Sequence, residues 1–325
     1  MTDAAAVITW INGPVIRARG SSQIAMGDMV GVSDQNLIGE VIGLHDNEMT
    51  IQVFEETSGL TPGMPVFGTG LPLSVELAPG LIGSIFDGIQ RPLPVIEQIT
   101  GSFIGRGFGV TPLDRKTRWS FTPQMEIGKK VTEGVVIGTV PETGMITHKI
   151  MIPRGISGTL TWVAPAGEYT IDEVIARVET EQGEEPITML RRCPVRIARS
   201  FKNRKEKNEP LLTGQRVLDT FFPLVKGGSA IIPGGFGTGK TITQHQIAKW
   251  SDADVVVYIG CGERGNEMTE VLQEFPSLID PRSKRPLMER TILIANTSNM
   301  QVAARDASVY TGITIAEYYR DMGYD

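Results

Sequence analysis

Cysteine is nearly absent, with Cys193 and Cys261 the only two in 325 residues. They lie far apart, without a CxxC pair or a cysteine–histidine cluster, which excludes a zinc site of the usual spacing. A reducing, cytoplasmic compartment suits this thiol usage. Histidine is equally scarce. His45, His148 and His245 stand isolated and read as structural or exposed side chains, not catalytic ones. No run approaches the ~18–20 apolar residues that cross a bilayer. Residues 1–10 lack the basic and apolar segments of a signal peptide. Any membrane role is therefore expected to be peripheral, through partners. A positive balance is missing too, since 31 Lys and Arg face 37 Asp and Glu for a net charge of −6. That argues against a general nucleic-acid binder, which carries a basic stripe. The one compact basic run holds Arg199, Lys202, Arg204, Lys205 and Lys207, broken by Glu206, and reads as a solvated loop between domains.

What is present suits a globular protein. Hydrophobic residues make up 41% and charged residues 21%, enough apolar material for a sizeable core. The length is a prior for two or three domains. The 37 glycines are spread along the chain, as turns and close-packed loops require.

Residues 1–70 read as all-β. Short apolar runs such as Ala6-Val7-Ile8-Thr9-Trp10, Leu37-Ile38-Gly39-Glu40-Val41-Ile42 and Thr50-Ile51-Gln52-Val53-Phe54 alternate with turn signals, the pattern of a small closed barrel. Residues 71–110 form glycine- and proline-rich connections, with a short apolar stretch over 81–89 that packs on the nucleotide region. Residues 111–190 are a second β module punctuated by glycine, where helix is disfavoured. The character changes in the last segment, 191–325. Ser229-Ala230-Ile231-Ile232-Pro233 reads as a short strand, 241–250 as a helix, and Val255-Val256-Val257-Tyr258-Ile259 as a strand buried on both faces. A helix over 266–275, a strand at Thr291-Ile292-Leu293-Ile294-Ala295, and a helix over 301–322 broken near Thr311-Gly312 follow. Strand–helix alternation argues a doubly wound parallel sheet.

The strongest chemical signal is Gly234-Gly235-Phe236-Gly237-Thr238-Gly239-Lys240-Thr241, a complete GxxxxGK[ST] phosphate loop. Its glycines let backbone N–H groups curl toward an anion. The helix that follows turns its positive dipole end to the same point. Lys240 can reach the β- and γ-phosphates as a point charge, and the Thr241 hydroxyl is the expected Mg²⁺ ligand. Phe236 is expected to shape the pocket.

A second site follows the next strand, at Gly260-Cys261-Gly262-Glu263-Arg264-Gly265-Asn266-Glu267. Ligands of open α/β sheets gather at the carboxyl ends of strands, so Glu263 faces the crevice of the phosphate loop. A carboxylate there can orient attacking water, and Arg264 can neutralise phosphoryl charge. Cys261 reads as a small buried packing residue. Asp252 and Asp254 precede a strand, out of reach of phosphates. A phosphate-loop NTPase usually has a strand ending in an acidic Mg²⁺ anchor. Neither strand here does, since one runs into Gly260-Cys261 and the other into Asn296-Thr297.

Together these motifs resemble those of the catalytic A-type chains in the archaeal and bacterial A/V-type rotary ATPases. The likeness extends to Phe54-Glu55-Glu56-Thr57-Ser58-Gly59-Leu60, Phe86-Asp87-Gly88-Ile89-Gln90-Arg91-Pro92-Leu93, Thr213-Gly214-Gln215-Arg216-Val217 and Ala295-Asn296-Thr297-Ser298-Asn299-Met300. The resemblance implies a multidomain chain: an N-terminal β-barrel, an inserted β-rich bulge domain, and a partial α/β RecA-like phosphate-loop domain. It implies binding of ATP or ADP with Mg²⁺, and ATP hydrolysis or synthesis coupled to H⁺ or Na⁺ transport. The implied partners are B subunits in an alternating three-plus-three ring, central-stalk rotor and peripheral-stalk subunits, and a membrane sector. The implied location is peripheral, on the cytoplasmic face of the cell membrane, with no nucleic acid involved. Carried over by position, Glu263 activates water, Arg264 lies near the γ-phosphate, and Lys240 and Thr241 hold phosphate and Mg²⁺. The family usually has proline where Gly235 stands. Its chains also run on past the position of Asp325 into the Mg²⁺-holding strand and a helical domain, so the chain as given is expected to bind nucleotide weakly without turning over.

Three other readings share parts of this plan. An export-type hexameric ATPase has the barrel and phosphate loop but lacks the long insertion over 111–190. A Rho-like motor would need a basic, aromatic strip in the barrel. A regulatory nucleotide-binding subunit need not keep both Lys240 and Glu263.

Overall fold

The computed structural model describes residues 5–20, 24–101, 104–107, 109–199, 201, 203–204, 206–235 and 237–325. Six antiparallel strands near the N-terminus close into a barrel. Around it run Ala6–Asn12, Val15–Gly20, Glu48–Val53, Leu37–His45, Asp28–Val32 and Pro65–Pro72. Ala6 pairs with Val66 to shut the ring. Alternation along Glu48–Val53 sends Met49, Ile51 and Val53 inward. They meet Ile16, Leu37 and Val66 in a core of the barrel's own.

The inserted region holds two four-stranded antiparallel sheets. One orders Lys130–Val131, Gly158–Val163, Val174–Thr180 and Gly183–Thr188. The other orders Thr147–Met151, Val136–Pro141, Trp119–Pro123 and Gly167–Tyr169. Ile137, Val140, Ile150, Leu160 and Val178 fill the core here. That core continues without a break into Ile292, Ile294, Ile315, Tyr318 and Tyr319 of the last segment.

The nucleotide region is built on three parallel strands, ordered Val256–Glu263, Thr291–Thr297 and Ile85–Phe86. The central strand is buried on both faces from Thr291 to Asn296, as its unbroken apolar run requires. The apolar stretch over 81–89 supplies the third strand. Period-two alternation splits the side chains between two helical layers. Tyr258, Leu293 and Ala295 pack with Met268 and Val271 of the helix Gly265–Glu274. Ile292 and Ile294 pack with Ala303, Ala307 and Ile315 of the helix Val302–Asp321. Among the described residues the α-helices are, in chain order, α1 Leu93–Thr100, α2 Arg216–Phe221, α3 Lys240–Trp250, α4 Gly265–Glu274 and α5 Val302–Asp321.

Three expectations are corrected. Ser229-Ala230-Ile231-Ile232-Pro233 forms no strand, and Ile231 is 87% exposed. An apolar run becomes a strand only when another strand offers its hydrogen-bonding edge, and none of the described strands lies against it. Helix α5 is continuous through Thr311-Gly312. Gly312 is there because the helix lies close on the sheet, where a Cβ would stand 2.3 Å from Ile259 Cδ1, and the Thr311 hydroxyl donates to Gly88 O at 2.8 Å. Helix α1 stands in what reads as a glycine- and proline-rich connection. Proline in its first turn starts it, and Gly101 at φ 74° ends it. In the basic run, Arg199 pairs with Asp321. Lys202 and Lys205 lie outside the described residues.

Candidate nucleotide site

The phosphate loop leads directly into α3, with Gly239 as the residue before the first turn. Gly237 and Gly239 adopt φ of 74° and 83°, left-handed values that cost other L-residues about 1–2 kcal/mol. A Cβ on Gly234 would stand 2.4 Å from the Thr238 hydroxyl, so the loop closes too tightly for a side chain there. The Thr238 hydroxyl in turn donates to Gly235 O at 2.9 Å, and that of Thr243 to Gly239 O at 2.8 Å. Phe236, expected to shape the pocket, lies outside the described residues.

Lys240 Nζ donates to Gly234 O at 2.7 Å. Its ammonium thus folds over its own loop, at the mouth of the N-terminus of α3. The Thr241 hydroxyl points to Glu267 Oε2 at 3.4 Å. Glu267 sits in the first turn of α4, and the sequence motifs alone assign it no role. Its spacing four residues after Glu263, on the turn that opens a helix, is the signal that could have found it.

Glu263 is the last residue of the strand Val256–Glu263. Its own carbonyl accepts from Ser298 N at 2.8 Å, which ties the strand end to the neighbouring strand's exit. Gly262 has φ 75°, and a Cβ there would meet Arg305 Cδ at 3.1 Å, so the turn that presents Glu263 presses against α5. The Glu263 carboxyl is pushed above the ordinary range, first by partial burial and then by its hydrogen bond to Glu267 and that group's charge. The nearby Lys240 ammonium works in the opposite direction. Lys240, Thr241, Glu263 and Glu267 therefore share one crevice. Arg264 is exposed in the position before α4.

Hard oxygen donors face this crevice, the Thr241 hydroxyl and the Glu267 carboxylate. Among the described residues no group of three or more His, Cys, Asp or Glu is set to hold a metal ion. Such a sparse oxygen set fits Mg²⁺, which keeps several waters and takes ligands from substrate phosphates.

Other sequence candidates fall elsewhere. Cys261 is exposed, not buried. The alternation that buries Gly260 turns the next side chain outward, and its thiol donates to Arg305 O at 3.2 Å. His45 is exposed beside Asp46. His245 is buried against the Tyr258 hydroxyl at 2.9 Å. Asp252 and Asp254 accept backbone N–H groups from Leu212 and Asp325.

Three stretches match the family descriptions of ATP synthase alpha/beta proteins: the beta-barrel domain over 8–70, the barrel-sandwich domain over 110–196 and the nucleotide-binding domain over 214–325. The chain belongs to the ATP synthase alpha/beta family. Within that family it is 61% identical over 319 residues to the A subunit of the A-type ATP synthase of Methanopyrus kandleri, covering 98% of this chain and 54% of that protein. It is 58% identical to the V-type ATP synthase alpha chain of a Thermoanaerobacter species, with the same coverage. This ATP synthase alpha/beta chain thus spans about half the length of the curated relatives it matches. Among solved structures, the assembled ATPase EscN from the type III secretion system of enteropathogenic E. coli superposes with a TM-score of 0.58 at 20% identity, over 98% of this chain and 54% of that one, a likeness of fold.

Proposed function

We propose that this chain carries the catalytic nucleotide site of an A/V-type rotary ATPase, binding Mg²⁺ with ATP or ADP and hydrolysing or synthesising ATP coupled to H⁺ or Na⁺ transport. The observation that carries it is the meeting of Lys240 and Thr241 from one helix start with Glu263 and Glu267 from the next strand–helix junction. Names of relatives as A-type and V-type ATP synthase chains support the same reading.

The loop's backbone N–H groups and the N-terminus of α3 bind the phosphates. Lys240 exchanges the Gly234 carbonyl for phosphate oxygens, a stronger acceptor for an ammonium. Thr241 and Glu267 would hold Mg²⁺, which supplies charge neutralisation on the phosphate oxygens. The carboxylate of Glu263 accepts a hydrogen bond from the water that attacks phosphorus. Its raised proton affinity suits it to take up the proton as the O–P bond forms and the bridging oxygen leaves with ADP. Arg264 adds positive charge at the rim. Partners follow from the same reading: B subunits in an alternating ring, central and peripheral stalks, and a membrane sector that the chain serves from the cytoplasmic face. No helix among the described residues is long and apolar enough to cross a membrane.

Calorimetric titration with ATP, with and without Mg²⁺, tests the site. Lys240→Ala is expected to weaken binding by about 10²-fold, the value of a lost charge-assisted contact. Equal affinity in parent and variant would remove the phosphate loop from the reading.

A further inference from the structure

Helices α3 and α5 both begin at the nucleotide site; α5 ends on the hairpin over 142–148 in the inserted β region, and α3 ends on a loop that this hairpin holds. The Glu142 side chain is 1% exposed and that of His148 fully buried, joined at 2.7 Å. Glu142 also accepts from Gly80 N at 2.8 Å, Ile82 N at 3.1 Å and the Tyr319 hydroxyl at 3.0 Å. The other ring nitrogen of His148 meets the Tyr318 hydroxyl at 2.8 Å. Tyr318 and Tyr319 lie in the last turns of α5. The start of α5 abuts the carboxylate turn, where Cys261 donates to Arg305 O and Arg305 packs on Gly262. A continuous helix of 20 residues is about 30 Å long, so α5 links Glu263 to Glu142 as one rod.

The same hairpin reaches α3 by a second route. Thr143 donates through its hydroxyl to Glu289 O at 2.8 Å, and Ser283 donates to Met145 Sδ at 3.4 Å. The loop so held carries Arg282 and Arg290. Arg290 is fully buried; it donates to Ala253 O at 2.7 Å and pairs with Asp280 at 3.0 Å. Arg282 donates to Ser251 O at 3.2 Å and Asp252 O at 3.0 Å. Arg290 also reaches Lys249 O in the last turn of α3 at 3.5 Å, so two guanidinium groups sit at the carbonyl end of that helix, where cations are favoured by the helix dipole. Its amino end is the phosphate loop.

We propose that the 142–148 hairpin is a positioning element for the nucleotide site, fixing the far ends of α3 and α5 so that the inserted region sets the spacing of Lys240 and Glu263. The hairpin touches no nucleotide and acts through the two helices. The buried Glu142–His148–Tyr318–Tyr319 cluster, in which each carboxylate oxygen, ring nitrogen and hydroxyl has a partner, has one favoured arrangement, which is what a positioning element needs. The activity arm of the test rests on the catalytic reading above; the exchange arm does not.

The experiment compares the full protein in its assembled complex with the Tyr318→Phe, Tyr319→Phe double variant, which keeps both rings in the core and removes the hydroxyls from Glu142 and His148. Backbone amide exchange without nucleotide is expected to rise about tenfold over 260–268, with the barrel unchanged. The rate kcat should fall about fivefold at nearly constant KM. Thr143→Ala provides a second arm, with exchange rising over 239–245. Unchanged exchange at both segments, or an equal rise in the barrel, would overturn the proposal. Glu263→Gln measured alongside separates the two ideas. If it hydrolyses like the parent, the catalytic reading fails while the exchange data still decide the hairpin.

Discussion

In the barrel every strand has a hydrogen-bonded neighbour on both sides, and Ile16, Leu37, Ile51 and Val66 are wholly buried. Ahead of the phosphate loop the opposite holds. Residues 228–235 have no strand pairing, and Phe221, Phe222 and Ile231 are 73%, 66% and 87% exposed. Both segments are apolar in sequence, so apolar content alone does not distinguish them. The barrel satisfies its own backbone within about seventy residues of chain. A phosphate loop must leave N–H groups free for an anion, and its stability comes from what surrounds it.

The largest effect expected from this contrast is Ile51→Ala in the barrel. It should cost about 2–5 kcal/mol in chemical unfolding of the barrel transition, while ATP affinity stays within about twofold. An equal loss of affinity would mean that the two regions are not independent. Next comes Gly239→Ala. Its φ of 83° makes any side chain cost about 1–2 kcal/mol, and ATP titration should show affinity falling by about tenfold. Gly235→Ala should do the reverse. No atom lies within 4 Å of a Cβ there and its φ is not left-handed, so thermal unfolding should show a gain of about 0.4–1 kcal/mol through the unfolded chain.

A pH dependence sharpens the contrast further. Glu142 is held below the ordinary carboxylate value of 4.5. Burial, the largest influence, raises it, but His148 and the amides of Ile82 and Gly80 together outweigh burial. Its contribution is thus fully present above about pH 4.5 and lost as pH falls through the lower folded value. The stability gap between parent and Glu142→Gln should shrink on acidification below that point; a gap independent of pH would contradict it. The smallest effect is Ile231→Ser, within about 0.5 kcal/mol because the side chain is in water.

Much of this was legible from residue patterns. The barrel runs show in their alternation, and the strand expected over 255–259 shows in its unbroken apolar sequence, which the structure carries on to Glu263. The GxxxxGK[ST] spacing predicts a helix start at Lys240 and Thr241, where α3 begins, whereas Glu263, expected in the segment after a strand, forms that strand's last residue. What was hidden depended on partners distant in sequence. Nothing near Glu142 says that Tyr319 will bond it from 177 residues away. Ile231 looked like a strand because pattern reports hydrophobicity and not whether an edge is available. Gly312 looked like a helix break, whereas its lack of a side chain is what allows α5 to lie against Ile259. Cys261 was expected inside because small apolar residues usually are, but one step of alternation placed it outside.

The central claim is that Glu263 acts on water while the phosphate loop and Lys240 hold the phosphates and Thr241 would hold Mg²⁺. The most direct measurement is Mg-ATP hydrolysis by the full protein assembled with its ring partners, parent against Glu263→Gln, with nucleotide binding followed in the same samples. The account predicts that binding persists and hydrolysis falls by at least about 10²-fold, the scale of a lost general base. Hydrolysis at the parent rate in the variant would contradict it.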